Sequence, residues 1–137
     1  MRVSLHDHTA DVIVSAEGSS LEEVIENLVI GVGEIVWGVE DASQCCGEGE
    51  LKNFTVRSDG PDMTFALSSM LGEVLYLIET QKVLPCQVLD VSYSRKDGNV
   101  YVEIAVKGVK LYKMPSGEEV KAISFAMKWQ VSVILDL

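Results

Sequence analysis

The sequence predicts an α+β domain: a mostly antiparallel β-sheet with two helices packed on it. Three observations predict it. Two segments carry apolar residues at helical spacing behind capping residues. Most other ordered segments alternate in polarity or are rich in β-branched residues. The order is strand, helix, strand, helix and then several strands, which lacks the alternating rhythm of a doubly wound parallel fold. At 137 residues the chain has the length of one domain, residues 1–137. A domain of that size buries roughly two-thirds of its unfolded surface and needs no disulfide or metal staple.

Val3 to Ala16 reads as extended, with Val12 and Val14 alternating with Ile13 and Ser15, and Gly18 ends it. A first helix follows. Ser19 with Glu22, and Ser20 with Glu23, have capping-box spacing. Leu21, Val24, Ile25, Leu28, Val32, Ile35 and Val36 form its stripe; Gly31 and Gly33 weaken its propensity, so packing must hold it. Gly38 to Gly49 reads as a loop and Leu51 to Ser58 as a short strand. Asp62 can cap a second helix with the stripe Ala66, Leu67, Met70, Leu71, Val74, Leu75 and Ile78, and Pro85 keeps that helix from continuing. Gln87–Ser94 and Val100–Gly108 read as a strand pair around Asp97-Gly98, a hairpin signal. Val100, Val102, Ile104 and Val106 make the apolar face of the second strand. Pro115-Ser116-Gly117 is a turn, and Val120–Phe125 and Gln130–Leu135 are further strands with a bend near Met127.

A formal charge of −10 repels phosphate backbones and argues against an extended nucleic-acid footprint or a basic membrane-surface helix. It suits a protein partner with a positive face. The longest apolar stretch, Leu28 to Val39, is broken by Gly31, Gly33, Glu34 and Gly38 and is too short to span a bilayer. Met1 is followed by no basic-then-apolar leader. Cys45, Cys46 and Cys86 are odd in number, two of them adjacent, and lack zinc-ligand spacing. They read as packing or loop thiols in a reducing, cytoplasmic compartment.

Chemistry centres on two aspartates, Asp11 and Asp136. The polar cluster His6, Asp7, His8, Thr9 and Asp11 lies near the start. If the chain runs on as one strand, Asp7, Thr9 and Asp11 share a face and His8 takes the other. Three oxygen-bearing groups on one face suit a hard cation, although a polar start to a strand looks the same. At the far end, Asp136 follows an alternating strand, Val131 to Leu135, and adjoins Leu137 and its terminal carboxylate. Like charges so close need solvent or a cation.

His8-Thr9-Ala10-Asp11-Val12 closely resembles the N-terminal signature of the archease family. The resemblance continues through Gly18 and Ser20-Leu21-Glu22-Glu23, and more loosely through Asp62, Leu67, Leu71 and Leu75-Tyr76. Pro115-Ser116-Gly117-Glu118-Glu119-Val120-Lys121-Ala122-Ile123-Ser124-Phe125 resembles the second signature, and Val133-Ile134-Leu135-Asp136-Leu137 the C-terminus. The ordered series spans nearly the whole chain. It departs from the family at Met114, where archeases commonly carry His, and at Ser124-Phe125, where they commonly have Thr-Tyr. Phe125 lacks the phenolic hydroxyl and any hydrogen bond it makes.

The resemblance implies a non-enzymatic accessory protein of an RtcB-class RNA ligase in tRNA splicing. Such a protein promotes the ligase's guanylylation and multiple turnover. It implies a divalent cation, calcium foremost with magnesium or manganese as alternatives, held by Asp11, Asp136 and a main-chain oxygen of Leu137. Asp7, His8 and Thr9 would neighbour that site, and Glu119 and Lys121 are candidate partner contacts on an otherwise ordinary strand face. Two other readings stay open. One is a chaperone-like module for RNA-processing enzymes such as tRNA methyltransferases. The other is a metal-dependent hydrolase, which needs a general base and a pocket of convergent polar groups.

Overall fold

In the computed structural model, described for residues 4–7, 11–47, 49–112, 122–127 and 131–136, the strands divide between two antiparallel sheets. The first contains β1 (Ser4–Asp7), β2 (Asp11–Ala16), β7 (Ala122–Met127) and β8 (Val131–Asp136), in the order β1-β2-β8-β7. The second is built on β6 (Asn99–Lys110). Along one edge β6 pairs with β5 (Val83–Lys96); along the other it pairs with β4 (Phe54–Gly60) and the short β3 (Glu50–Leu51). Helices α1 (Leu21–Trp37) and α2 (Met63–Gln81) contact each other and both sheets. The α+β expectation holds; what periodicity did not supply was the division of the strands into two sheets.

Both helices start where their caps dictate. Of the two possible boxes, Ser20 is the N-cap of α1: its Oγ accepts from the Glu23 amide at 3.2 Å, while the Ser19 hydroxyl donates to Glu23 Oε2 at 2.9 Å. Asp62 caps α2 by accepting from the Phe65 amide at 2.8 Å. The seven stripe positions of α2 are all buried, as are Val24, Ile25, Leu28, Val32, Ile35 and Val36 of α1. Each such Leu, Ile or Val stabilises the fold by about 1.5–3 kcal/mol. Gly33 is where α1 meets β5: a Cβ there would lie 2.7 Å from Pro85 Cδ, so only glycine permits this approach. Asp97 and Gly98, at φ 52° and 81°, give the β5–β6 hairpin the two positive-φ residues of a type I′ turn.

Several boundaries differ from the sequence reading. Leu51–Ser58 is two strands, because β3 and β4 pair with different stretches of β6. The 38–49 segment contains a 3-10 turn, Ala42–Gln44, capped by Asp41. β5 begins at Val83 and takes in Pro85, which an edge strand tolerates because its missing amide breaks no inner ladder. Trp37 is fully buried and donates from Nε1 to the Val83 carbonyl at 2.9 Å, so it belongs to the core; Trp129 lies outside the described residues.

The cysteine reading is corrected. Cys46 and Cys86 form a disulfide with Cα atoms 6.0 Å apart, and Cys45 is the free thiol. Their separation of 40 residues follows no recognisable spacing rule. What joins them is tertiary: Cys86 is the extra residue of a bulge between Pro85 and Gln87 in β5, against which the 42–46 turn packs. The thiols therefore no longer argue for a reducing compartment. Among the described residues, no helix is long and apolar enough to cross a membrane.

Candidate functional site

β8 lies between β2 and β7, so Asp136 has a strand on either side. Asp136 is the register partner of Asp11 on β2 and of Ala122 on β7. The six pairs from Asp11↔Asp136 to Ala16↔Val131 fix this without a bulge. Directly opposed residues of an antiparallel ladder share a face, with Cα atoms about 4.5–5.5 Å apart. Two aspartates from opposite ends of the sequence are thus placed on one rung at one end of the sheet. Like charges directly opposed in a sheet are destabilising.

The other predicted residues do not all join them. Asp7 is corrected. Its register partner is Val12, so it takes the face opposite to Asp11. Alternation from Asp7 to Asp11 assumed one continuous strand, whereas the two residues stand on separate strands that run antiparallel. The same register brings His6 opposite Ile13 and onto the face of Asp11, a placement that single-strand reasoning missed. Ser124 pairs with Ile134, on the face of Asp136, and Phe125 pairs with Val133 on the other. His8, Thr9, Met114, Glu119, Lys121 and Leu137 lie outside the described residues.

The two faces of this sheet differ in character. Ala16, 1% exposed, belongs to the core, and its face carries Val12, Val14, Val131, Val133 and Leu135. The other face carries Asp11, Ser15, Ser132 and Asp136 around Ile13 and Ile134. By register, the aspartate rung lies on the sheet face opposite to that of Ala16. The donor chemistry of the rung, two carboxylates, fits a hard divalent cation. Among the described residues no group of three or more His, Cys, Asp or Glu is arranged to hold a metal, so the rung rests on backbone register.

A groove of about 240 Å³ lies on the second sheet, lined in part by Arg57, Ser92, Tyr101 and Glu103. Its two charged lining residues neutralise each other, Arg57 Nε donating to Glu103 Oε2 at 2.8 Å. Near the second signature, the Tyr112 hydroxyl donates to Glu50 Oε2 at 2.6 Å, which pushes the phenol above its ordinary range. Lys110 Nζ lies over the Tyr112 ring, 5.6 Å from its centroid.

A strand-flanked aspartate rung on an α+β scaffold narrows the class, and comparison with known proteins completes it. The model of the archease protein family (MTH1598/TM1083) matches residues 4–137. The chain belongs to the archease family. It is 28% identical to the protein archease of Methanosarcina mazei, covering 96% of this chain and 92% of that protein. It is 27% identical to the archease-like protein of Drosophila melanogaster, covering 100% and 91%. The fold matches the solution structure of Methanobacterium thermoautotrophicum protein 1598 with a TM-score of 0.71 at 24% identity, over 99% of each chain.

Proposed function

We propose that this protein is a non-enzymatic accessory factor of an RtcB-class RNA ligase in tRNA splicing, acting through a divalent cation held at the Asp11–Asp136 rung. Family membership supports the accessory role. The observation that carries the metal-bearing edge is the register pair Asp11↔Asp136. It opposes two carboxylates on one rung, and a bound cation offsets that repulsion. Calcium is the ion the family resemblance implies, with magnesium and manganese as competitors; a main-chain oxygen of Leu137 completes the set. The cation supplies fixed positive charge. The protein's own residues orient it at one end of the sheet's two central strands, where it meets the ligase and helps arrange nucleotide and metal for guanylylation. Phosphoryl-type transfer depends mostly on such positioning and charge neutralisation. The cytoplasm is the compartment this role requires.

The test is GTP-dependent guanylylation of the cognate ligase with and without the protein, followed by multiple-turnover RNA joining. Wild type should accelerate both, and Asp11→Ala and Asp136→Ala should not. Full stimulation by both variants would remove the rung from the mechanism. A C-terminal extension should weaken calcium binding, and unchanged affinity would remove Leu137 from the ligand set.

A further inference from the structure

The turn after α1 is fastened to the body of the protein by bonds of different chemistry. Glu34, only 1% exposed, accepts from the Ala42 amide at 2.9 Å and ties the 3-10 turn to the helix. Trp37 ties the end of α1 to the start of β5 through the Val83 carbonyl. The third fastener is the covalent bond from Cys46 to Cys86. It differs from the others in being removable. Cys86 is the bulge residue of β5, outside the register pairs with β6, so releasing its sulfur breaks no rung of the ladder. Cys46 and Cys86 are each half-buried, so small solutes reach them. The hydrophobic core of fully buried residues runs through both helices and the inner face of β6, and Cys46 and Cys86 pack against its margin as partly buried residues.

We propose that Cys46–Cys86 is a reversible thiol–disulfide exchange site served by a low-molecular-weight couple of the glutathione class, and that its reduction loosens the turn around residues 39–47 while the domain stays folded. A glutathione thiolate attacks one sulfur of the pair, forming a mixed disulfide and releasing the other cysteine as a thiolate. A second glutathione thiolate displaces the remaining protein sulfur. The products are glutathione disulfide and two protein thiols, protonated from solvent. Closure is the reverse, with glutathione disulfide as oxidant. No sulfur takes part in the Glu34–Ala42 bond, so it outlasts reduction and keeps Cys46 near Cys86 for re-formation.

The test uses the full chain equilibrated in glutathione buffers from reducing to oxidising. Free thiols are trapped with an alkylating mass tag, and amide hydrogen exchange is followed by mass spectrometry. Of the three cysteines, all should carry tags in reducing buffer and only Cys45 in oxidising buffer, reversibly. Peptides within 39–47 should exchange at least tenfold faster when reduced, with α2 and β6 unchanged. The proposal is overturned by a tag count that does not respond to the buffer, by equal exchange in both states, or by loss of protection in α2. Cys86→Ser should exchange at the reduced rate without reductant, and Cys45→Ser should respond as wild type. The opposite pattern assigns the bond elsewhere and overturns the proposal too.

Discussion

At the residue scale, the opposed aspartates make a prediction with opposite signs in two buffers. Without divalent cation, Asp11→Asn or Asp136→Asn should raise stability by roughly 0.2–1 kcal/mol, because a like-charge pair is relieved. With calcium the same changes should weaken ion binding by more than the roughly tenfold that loss of even an outer-shell partner costs. The calcium-dependent rise in melting temperature should then disappear. Thermal melts in chelator and in calcium, with calorimetry, measure both signs. Glu34 makes a second prediction. Glu34→Ala leaves the buried Ala42 amide without its acceptor and should cost about 1–3 kcal/mol in chemical denaturation, whereas Glu34→Gln retains an acceptor oxygen and should cost less. Asp11 and Asp136 were both legible in the sequence as carboxylates in telling positions, but their pairing was not. Glu34 had one overlooked signal. Ile30 and Trp37, four before it and three after, are apolar, so the helix is apolar around its circumference and buries what it carries there.

At the element scale, two helical glycines should respond in opposite directions to the same substitution. Intrinsic propensity favours Ala over Gly by about 1 kcal/mol in a helix interior. Gly72 of α2 has open space where a Cβ would go, so Gly72→Ala should stabilise by up to about that amount. Gly33 of α1 faces Pro85 at 2.7 Å, so Gly33→Ala should instead destabilise by about 1–3 kcal/mol through overpacking. Denaturant midpoints of the two variants decide the matter; equal shifts would mean that the α1–β5 approach is not tight. The same contact shows why elements were more legible than their junctions. The stripe of α2 and the inner face of β6 follow from side-chain period alone and match residue for residue. The start of β5, the division into β3 and β4 and the reversal between Asp7 and Asp11 depend on which strand each stretch pairs with. No local pattern encodes that choice.

At the scale of the whole molecule, a charge of −10 gives a field that should govern encounter more than affinity. Raising salt from roughly 0.05 to 0.5 M shrinks the screening length several-fold. The association rate with a protein partner that presents a positive face should therefore fall steeply while the dissociation rate changes little, as stopped-flow measurements with the proposed ligase would show. A salt-independent association rate would mean that the charge serves another purpose. The sequence by itself determined the class of fold, the two helices with their caps, the buried faces, the hairpin at Asp97-Gly98 and the family to which the ordered motifs belong, because each is set by residues near one another in the chain. Only the tertiary structure decided that the strands form two sheets, that Asp7 pairs with Val12 and so is not on the face of Asp11, that Cys86 reaches Cys46, and that Asp11 and Asp136 share a rung. The physical reason is the same in each case. Register and bulges are chosen by pairing between distant strands, and a shift of one residue exchanges the two faces of a strand without changing a letter of its sequence.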